Sequence, residues 1–518
     1  MILRHGRTAR VLLINELIVN RPTQFSSVTL AVCLFVLGLL ASPNEAGAQQ
    51  PPPATSTSKS PQWLLTTRDT ARAEVWRFFQ PNPGGGNPDY EFLANRLNID
   101  AKRTTARTEV TVGLQHVGFV GLPTAAVGPG PLGTGALYFD QGGRSQHPSR
   151  LFVRYANLKV KDVLPGFDLQ AGRMAYGSGA ESVTTDAKLE LVRRQRVSAR
   201  LVGEFDWSLY QRSFDGVRVD LRRPRWQLTS MVMQPTHGGF SSSAGQMMPH
   251  VLLAGAVVTA RPAKIRASWQ VFAIHYADSR RMASRPDNSG ATAARVDVDV
   301  TSIGGSWIGT HKTTGAGGGE FDGVVWLAGQ TGSWYGQRHR AWSLTAEGGY
   351  QLNTARWKPW LRAGLLSSSG DADGQDARHG TFFPVLPTMR KFSQTTMYST
   401  MNLHDAFVQL QLRPSASVNA RIDVHRLALA SAADLWYTGS GATLASGTNF
   451  GFAGRRSNGS TNLGTSLEGS IDYAVTPQWS VNAFAARMNG GPVVSGTFAG
   501  RRLWFVYLES VLRFDWRR

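Results

Sequence analysis

Apolar and polar residues alternate over short stretches of this chain. In Ser417 to His425, Val418, Ala420, Ile422 and Val424 fall on one face, and Asn419, Arg421, Asp423 and His425 on the other. Gly216 to Arg222 sets Val217, Val219 and Leu221 against Arg218, Asp220 and Arg222, and Arg295 to Val300 sets Val296, Val298 and Val300 against Arg295, Asp297 and Asp299. Near the end, Trp504, Val506, Leu508, Leu512 and Phe514 line one side while Glu509 and Arg513 lie on the other. A period of two in segments bounded by Gly, Pro, Asn and Asp predicts β-strands. Helical periodicity is hard to find from Tyr90 onward.

Strands with one apolar and one polar face suit a soluble sandwich or propeller, or a membrane barrel whose apolar face meets lipid. Loop sizes separate the two, because membrane barrels alternate short turns with long loops. The turns at Arg413-Pro414-Ser415-Ala416 and Val475-Thr476-Pro477-Gln478 are tight, whereas Ser367 to Met389 and Ala430 to Thr461 are long and polar or Gly-rich. About 430 residues follow Tyr90, and at roughly 24 residues per strand with its share of loop they make about 18 strands. The predicted fold is all-β, a transmembrane antiparallel β-barrel of about 18 strands (16–18). The closing strand, Trp504 to Phe514, carries the apolar alternation and terminal aromatic common in outer-membrane barrels, with Asp515-Trp516-Arg517-Arg518 extending past it.

The N-terminal stretch is different. Val28 to Ala41 is a 14-residue apolar run, preceded by Arg4, Arg7, Arg10 and Arg21 and followed by Ala46-Gly47-Ala48. A spanning helix needs about 20 apolar residues, so the layout is that of a secretory signal peptide over residues 1–48. Residues 49–62 are a Pro/Ser/Thr-rich linker, and 63–518 form the barrel, clearest from Tyr90. The expected location is the bacterial outer membrane, reached by Sec-type export. The only cysteine, Cys33, lies in the signal, which excludes disulfide and thiolate-metal chemistry in the mature chain.

The full 518-residue chain carries 55 Lys and Arg against 35 Asp and Glu, and 55 Gly. Without residues 1–48 the balance is 51 basic to 33 acidic, or +18, and nine of the basic residues are Lys. Arginine presents a planar fork of donors suited to carboxylate and phosphate. An anionic partner follows, an acidic solute or polysaccharide rather than nucleic acid, with outer-membrane lipid around the barrel and export partners in the periplasm.

Catalytic signals are weak. No H-E-x-x-H, G-x-S-x-G or cysteine nucleophile occurs, and the 11 His are scattered without ligand spacing. Gly128-Pro129-Gly130-Pro131-Leu132-Gly133 has the letters of a phosphate-cradling motif, but two prolines and the lack of a following helix remove the physical basis. Asp371, Asp373 and Asp376 in a Gly-bearing loop are candidate calcium ligands without the bidentate Glu of an EF-hand; a solvated loop is the plainer reading. No enzyme activity and no cofactor are expected.

Three groups of residues look familiar. Phe167-Asp168-Leu169-Gln170-Ala171-Gly172-Arg173, then Ala175-Tyr176-Gly177-Ser178-Gly179 and Arg212-Ser213-Phe214-Asp215-Gly216-Val217-Arg218, resemble the strand-turn-strand hallmark of the alginate export family of outer-membrane barrels. Ser369-Gly370-Asp371-Ala372-Asp373 with Gly380 to Thr388 is similar to that family's long acidic loop, and Asn402-Leu403-His404-Asp405 through Leu410 to Pro414, then Ser417 to Asp423, is a third match. The resemblance runs from about Tyr90 to Phe514 and implies an Arg-rich lumen that passes anionic material. Glu181 to Arg200 departs from the pattern, being longer and more basic.

Parity places Arg96, Arg154, Arg173, Arg218, Arg222, Arg421 and Arg513 in the lumen, because an Arg at the lipid midplane costs about 2–4 kcal/mol. Arg154 is ambiguous, with Phe152 and Leu158 on its parity. Arg212 joins this substrate pathway, and Asp215, Asp220, Asp423 and Glu509 would hold the arginines apart. Rings of Arg make anion-selective pores; a stabilising ladder of ion pairs is the alternative. The leading function is an outer-membrane channel for passive diffusion or export of anionic substrates, an acidic polysaccharide such as alginate among them. A general or solute-specific porin, and an enzyme or binding protein for acidic glycans, stand as alternatives.

Overall fold

A computed structural model of the chain describes residues 62–518, apart from 128–133, 263–264, 283–284, 291–296, 315–317, 389–394, 396–397, 440, 442–445 and 448–450. Eighteen antiparallel strands close into one barrel. They are β1 (Gln62–Arg77), β2 (Asp89–Thr104), β3 (Thr108–Val120), β4 (Ser149–Leu164), β5 (Phe167–Met174), β6 (Phe214–Arg222), β7 (Trp226–Pro235), β8 (Val251–Ala260) and β9 (Ala267–Asp278). The second half holds β10 (Val298–Lys312), β11 (Gly319–Trp334), β12 (Gln337–Leu352), β13 (Trp360–Ser368), β14 (Leu403–Leu412), β15 (Val418–Leu429), β16 (Asn462–Ala474), β17 (Trp479–Gly490) and β18 (Arg502–Arg517). Pairing of β1 with β18, from Leu64↔Arg517 to Arg77↔Trp504, closes the ring, so no edge is left to aggregate.

Connections alternate as expected. At one end, 105–107, 165–166, 223–225, 261–266, 313–318, 353–359, 413–417 and 475–478 are turns of two to seven residues. The other end carries the long connections 121–148, 175–213, 369–402 and 430–461, the first holding a helix, α1 (Thr134–Gln141), along with shorter ones that include one tight turn, 335–336.

The outer face is inverted relative to a water-soluble protein. Ile422 and Val424 are 51% and 45% exposed, while Asp423 and His425 between and beside them are 2% and 1% exposed. Leu467, Leu327 and Val271 stand outward in the same way, and only lipid makes that arrangement favourable. Exposed Trp63, Trp226, Trp269, Phe321, Phe514 and Trp516 form an aromatic girdle near the short turns.

Inward-facing residues change character along the strands. Starting from the short-turn end, β9 offers Ser268 and Gln270, then Phe272, Ile274 and Tyr276. On β11 the series is Glu320, Asp322, Val324, Trp326, Ala328, and on β7 it is Gln227, Thr229, Met231, Met233. On these three strands the half nearer the long loops is apolar on its inner face, whereas β12 buries His339, Ser343 and Thr345 there. This corrects the reading of Arg295 to Val300. There Val298 and Val300 are buried inward and Asp299 points out, whereas Arg295, Val296 and Gly128 to Gly133 lie outside the described residues.

Candidate functional site

A ring of 18 strands is too wide for wall side chains alone to fill. Here the lumen is occupied by segment 175–213, between β5 and β6. It carries a short helix, α2 (Ala187–Val192), capped by Asp186, whose carboxylate accepts from the Lys188 and Leu189 amides at 3.0 Å. The helix continues into a wide turn, Arg193–Val197. Leu189, Val192, Val197, Leu201 and Val202 pack on the apolar inner wall formed by Met231, Leu253, Val257, Phe272 and Trp326. On the opposite side, Phe205, Leu209 and Tyr210 pack with Phe92, Phe119 and Tyr138.

The long loop 369–402 meets this segment inside the barrel. The Leu386 amide donates to Leu201 O at 2.7 Å, Gly203 N to Leu386 O at 2.9 Å, and Thr388 N to Ala199 O at 3.0 Å. Gly203 is required there: a Cβ would lie 2.3 Å from Thr388 Oγ1 and 2.6 Å from the Ala199 Cβ.

Ion pairs fix the segment to one wall and arginine–carbonyl hydrogen bonds to the other. Arg196 donates to Glu347 on β12 through Nε at 2.6 Å and an Nη at 2.9 Å. Arg200 donates to the same carboxylate at 3.0 Å and to Thr345 Oγ1 at 2.7 Å, and Arg362 reaches Glu347 at 3.1 Å while also pairing with Asp322. Lys188 donates to Gln351 at 2.8 Å and lies 3.5 Å from Asp322. Burial, with the Arg362 charge beside it, pulls the Lys188 ammonium down to about 7. Across the lumen, Arg96 donates to the Asp206 and Ser208 carbonyls at 3.1 and 2.7 Å, and Arg72 to Trp207 O at 2.9 Å.

A family model for alginate export matches residues 157–498. The chain belongs to the alginate export family. No match is found among curated proteins. Among solved structures, the fold is similar to OccK9 (OpdG) of Pseudomonas aeruginosa, at TM-score 0.54 and 13% identity over 89% of this chain and 100% of that one. OccAB4 of Acinetobacter baumannii is similar at TM-score 0.53 and 8% identity, covering 89% and 100%. OpdK of Pseudomonas aeruginosa, whose structure with vanillate is known, gives TM-score 0.51 and 10% identity, covering 87% and 99%. This alginate export family member is thus an integral outer-membrane channel protein and not an enzyme, and in such barrels the short turns face the periplasm.

The arginines singled out by parity divide into classes. Arg96 is 3% exposed and holds the inserted segment. The β3–β4 register pairs Leu114 with Val153 and Gly113 with Tyr155, skipping Arg154. That bulge resolves the parity ambiguity: Arg154 reaches Asp100 at 3.2 Å and Tyr155 Oη at 2.6 Å, and Tyr155 in turn bonds Glu204 of the inserted segment. Arg218 pairs with Asp220, Arg222 with Asp168 at 2.7 Å, Arg421 with Asp423 at 2.5 Å, and Arg513 with Asp515 at 3.0 Å. Glu509 takes Arg72 at 2.6 Å. Arg212 is not on a strand; it is fully buried in the inserted segment, its guanidinium over the Phe205 ring.

Arg173 and Asp215 depart from the inward set. They are direct cross-strand partners, joined at 2.7 and 2.8 Å, on the parity of outward-facing Leu169 and Val217. Arg173 also donates to Gly245 O at 2.6 Å, in a loop at the long-loop end. The physical reason is position: at the last residues of β5 the loop holding Gly245 folds over the pair, which leaves Arg173 and Asp215 only 17% and 26% exposed.

The acidic loop residues serve the loop itself. Asp373 accepts from the Gln375 amide at 2.9 Å and Asp376 from the Arg378 amide at 2.7 Å. Asp371 is 5% exposed, and burial, with Asp434 next to it, raises its carboxyl to about 6. Sequence reasoning missed Glu347, the hub for three arginines, and the cluster of Asp423, His425 and Glu468. The D-x-H spacing at 423–425 on an inward strand face was the available signal for the second.

Proposed function

We propose that this barrel passes small anionic solutes by diffusion, with uronates and short oligouronates as the class to test first. The observation that carries the reading is the distribution of arginine. Lumen arginines sit in a ladder in which each carboxylate partner can be exchanged for that of a passing solute, as for Arg218, Arg222, Arg421 and Arg513. Exposed Arg107, Arg223 and Arg517 lie at the short-turn mouth, and Arg144 at the other. Fixed positive charge at a low-dielectric mouth raises the local anion concentration. The filled lumen favours small solutes over a polymer, because an acidic polysaccharide such as alginate would require segment 175–213 to move aside. Residues 1–48 are inferred to direct export and to be removed.

The test is the reversal potential of the purified protein in a planar bilayer under a salt gradient, with diuronate, then a long oligouronate, added to one side. An anion-selective conductance blocked by diuronate supports the reading. Replacing Arg222, Arg421 and Arg513 together by Ser should abolish the anion preference; an unchanged reversal potential refutes the role given to these arginines. Block by the long oligouronate alone would favour polymer export instead.

A further inference from the structure

On the inward face of β15 and β16, Asp423, His425 and Glu468 come together, one donor atom of each lying within 4.8 Å of the others. The side chains are almost fully buried. Asp423 and Glu468 are direct partners across the two strands, an arrangement that repels in a ladder and more strongly away from water. Among the described residues two cations lie near them. Arg421 lies 2.5 Å from Asp423 Oδ2, and Arg196 stacks over the neighbouring Phe407 ring but donates its hydrogen bonds to Glu347.

Among the described residues, Asp423 Oδ1 and His425 Nε2 have no hydrogen-bond partner. The other ring nitrogen, Nδ1, lies 3.0 Å from both oxygens of Asp405 on β14. A carboxylate gripping Nδ1–H fixes the tautomer and leaves the Nε2 lone pair free, which is how metal-binding imidazoles are oriented.

We propose that Asp423 Oδ1, His425 Nε2 and a Glu468 oxygen bind a divalent transition-metal ion, with Zn²⁺ the best fit, and that Asp405 positions His425. Imidazole with two carboxylates suits zinc and its neighbours, whereas calcium and magnesium take all-oxygen sites. Bonds of about 2.1 Å to a common ion put tetrahedral donors roughly 3.4 Å apart. Side-chain rotation on strands held by an intact ladder closes that difference. The ion neutralises two carboxylates that otherwise face each other, and it ties β15 to β16 through the lumen.

The test uses the full barrel in detergent, without a polyhistidine tag, stripped with EDTA and dialysed against micromolar ZnCl₂. Mass spectrometric metal analysis should find about one zinc per chain. His425→Gln and Glu468→Gln, near-isosteric changes, should each weaken zinc binding at least about tenfold, and Asp405→Asn should weaken it while leaving the ligands in place. Folding of each variant is checked by the faster migration of the unheated barrel on gels. On the unaltered protein, Co²⁺ should give the visible bands of a four-coordinate N/O site, lost on adding Zn²⁺. Less than about a tenth of an equivalent of zinc, equal zinc in all variants, or an octahedral Co²⁺ spectrum would each overturn the site.

Discussion

Replacing Glu347 by Gln removes the charge on which three guanidinium groups converge. Arg362 keeps Asp322, and Arg200 keeps Thr345 Oγ1 and the Arg196 carbonyl at 2.7 Å. Arg196 loses its hydrogen-bonded charged partner and keeps the Phe407 ring, one amide oxygen and the more distant charges of Asp423 and Asp405. Breaking a buried ion pair by removing one partner costs about 3–5 kcal/mol, and because two of the three arginines keep other acceptors the lower end applies. About 3 kcal/mol is a factor of roughly 150 in the local opening equilibrium. The opposite anchors, from Arg96 to the Asp206 and Ser208 carbonyls, are untouched. The expected outcome is selective loosening of residues 193–201: amide exchange there should rise about a hundredfold while 205–211 stays protected. Single-channel conductance in a planar bilayer should increase in parallel. Unchanged exchange at 193–201 in a folded barrel would refute the assignment of Glu347 as the anchor. Raised exchange with unaltered conductance would show that this part of the segment does not limit the path.

Two further outcomes follow from other parts of the barrel. Leu327 stands outward at the centre of β11, 49% exposed, so Leu327→Arg should destabilise the barrel by about 2–4 kcal/mol in a urea-refolding titration into lipid; a loss under about 0.5 kcal/mol would contradict the lipid-facing assignment. Asp371 has its carboxyl raised from 3.8 to about 6 in the folded loops. A raised acid favours its protonated form in the folded state, so this contact is strongest below about pH 4 and is lost as pH rises through about 6. The difference is at most about 3 kcal/mol. Proteolysis of loop 369–402 should therefore be faster at pH 7.5 than at pH 5, and Asp371→Asn should flatten that dependence; a wild type with no pH difference would refute the argument.

How far the sequence is legible depends on which solvent a strand meets. Where one face meets lipid and the other polar lumen, alternation is clean, and Ser417 to His425 and Gly216 to Arg222 are read with the right face inward. The strand count and the loop asymmetry follow from the same signal. Alternation disappears where the inner wall packs on the inserted segment, as in Val271-Phe272-Ala273-Ile274, since both faces are then apolar. The cost of an outward Arg misleads where parity alone does not: Arg173 and Asp215 share the parity of outward-facing Leu169 and Val217, against the expectation that they face the lumen. The bulge at Arg154 and the convergence on Glu347 from positions 196, 200 and 362 are tertiary facts with no local trace.

The long basic stretch between Gly179 and Glu204 and the apolar inner wall explain one another. A wall of Met231, Leu253, Phe272 and Trp326 facing water would cost about 25 cal/mol for each Å² of apolar surface, so it needs an insert, and Leu189, Val192, Val197 and Leu201 supply one. Such packing is indifferent to register, because apolar contacts are non-directional. The charges provide direction. Arg196 and Arg200 meet the single acid Glu347, and Tyr155 meets Glu204. A segment held by apolar burial and aligned by a few ion pairs can shift when those pairs are exchanged without unfolding the wall behind it.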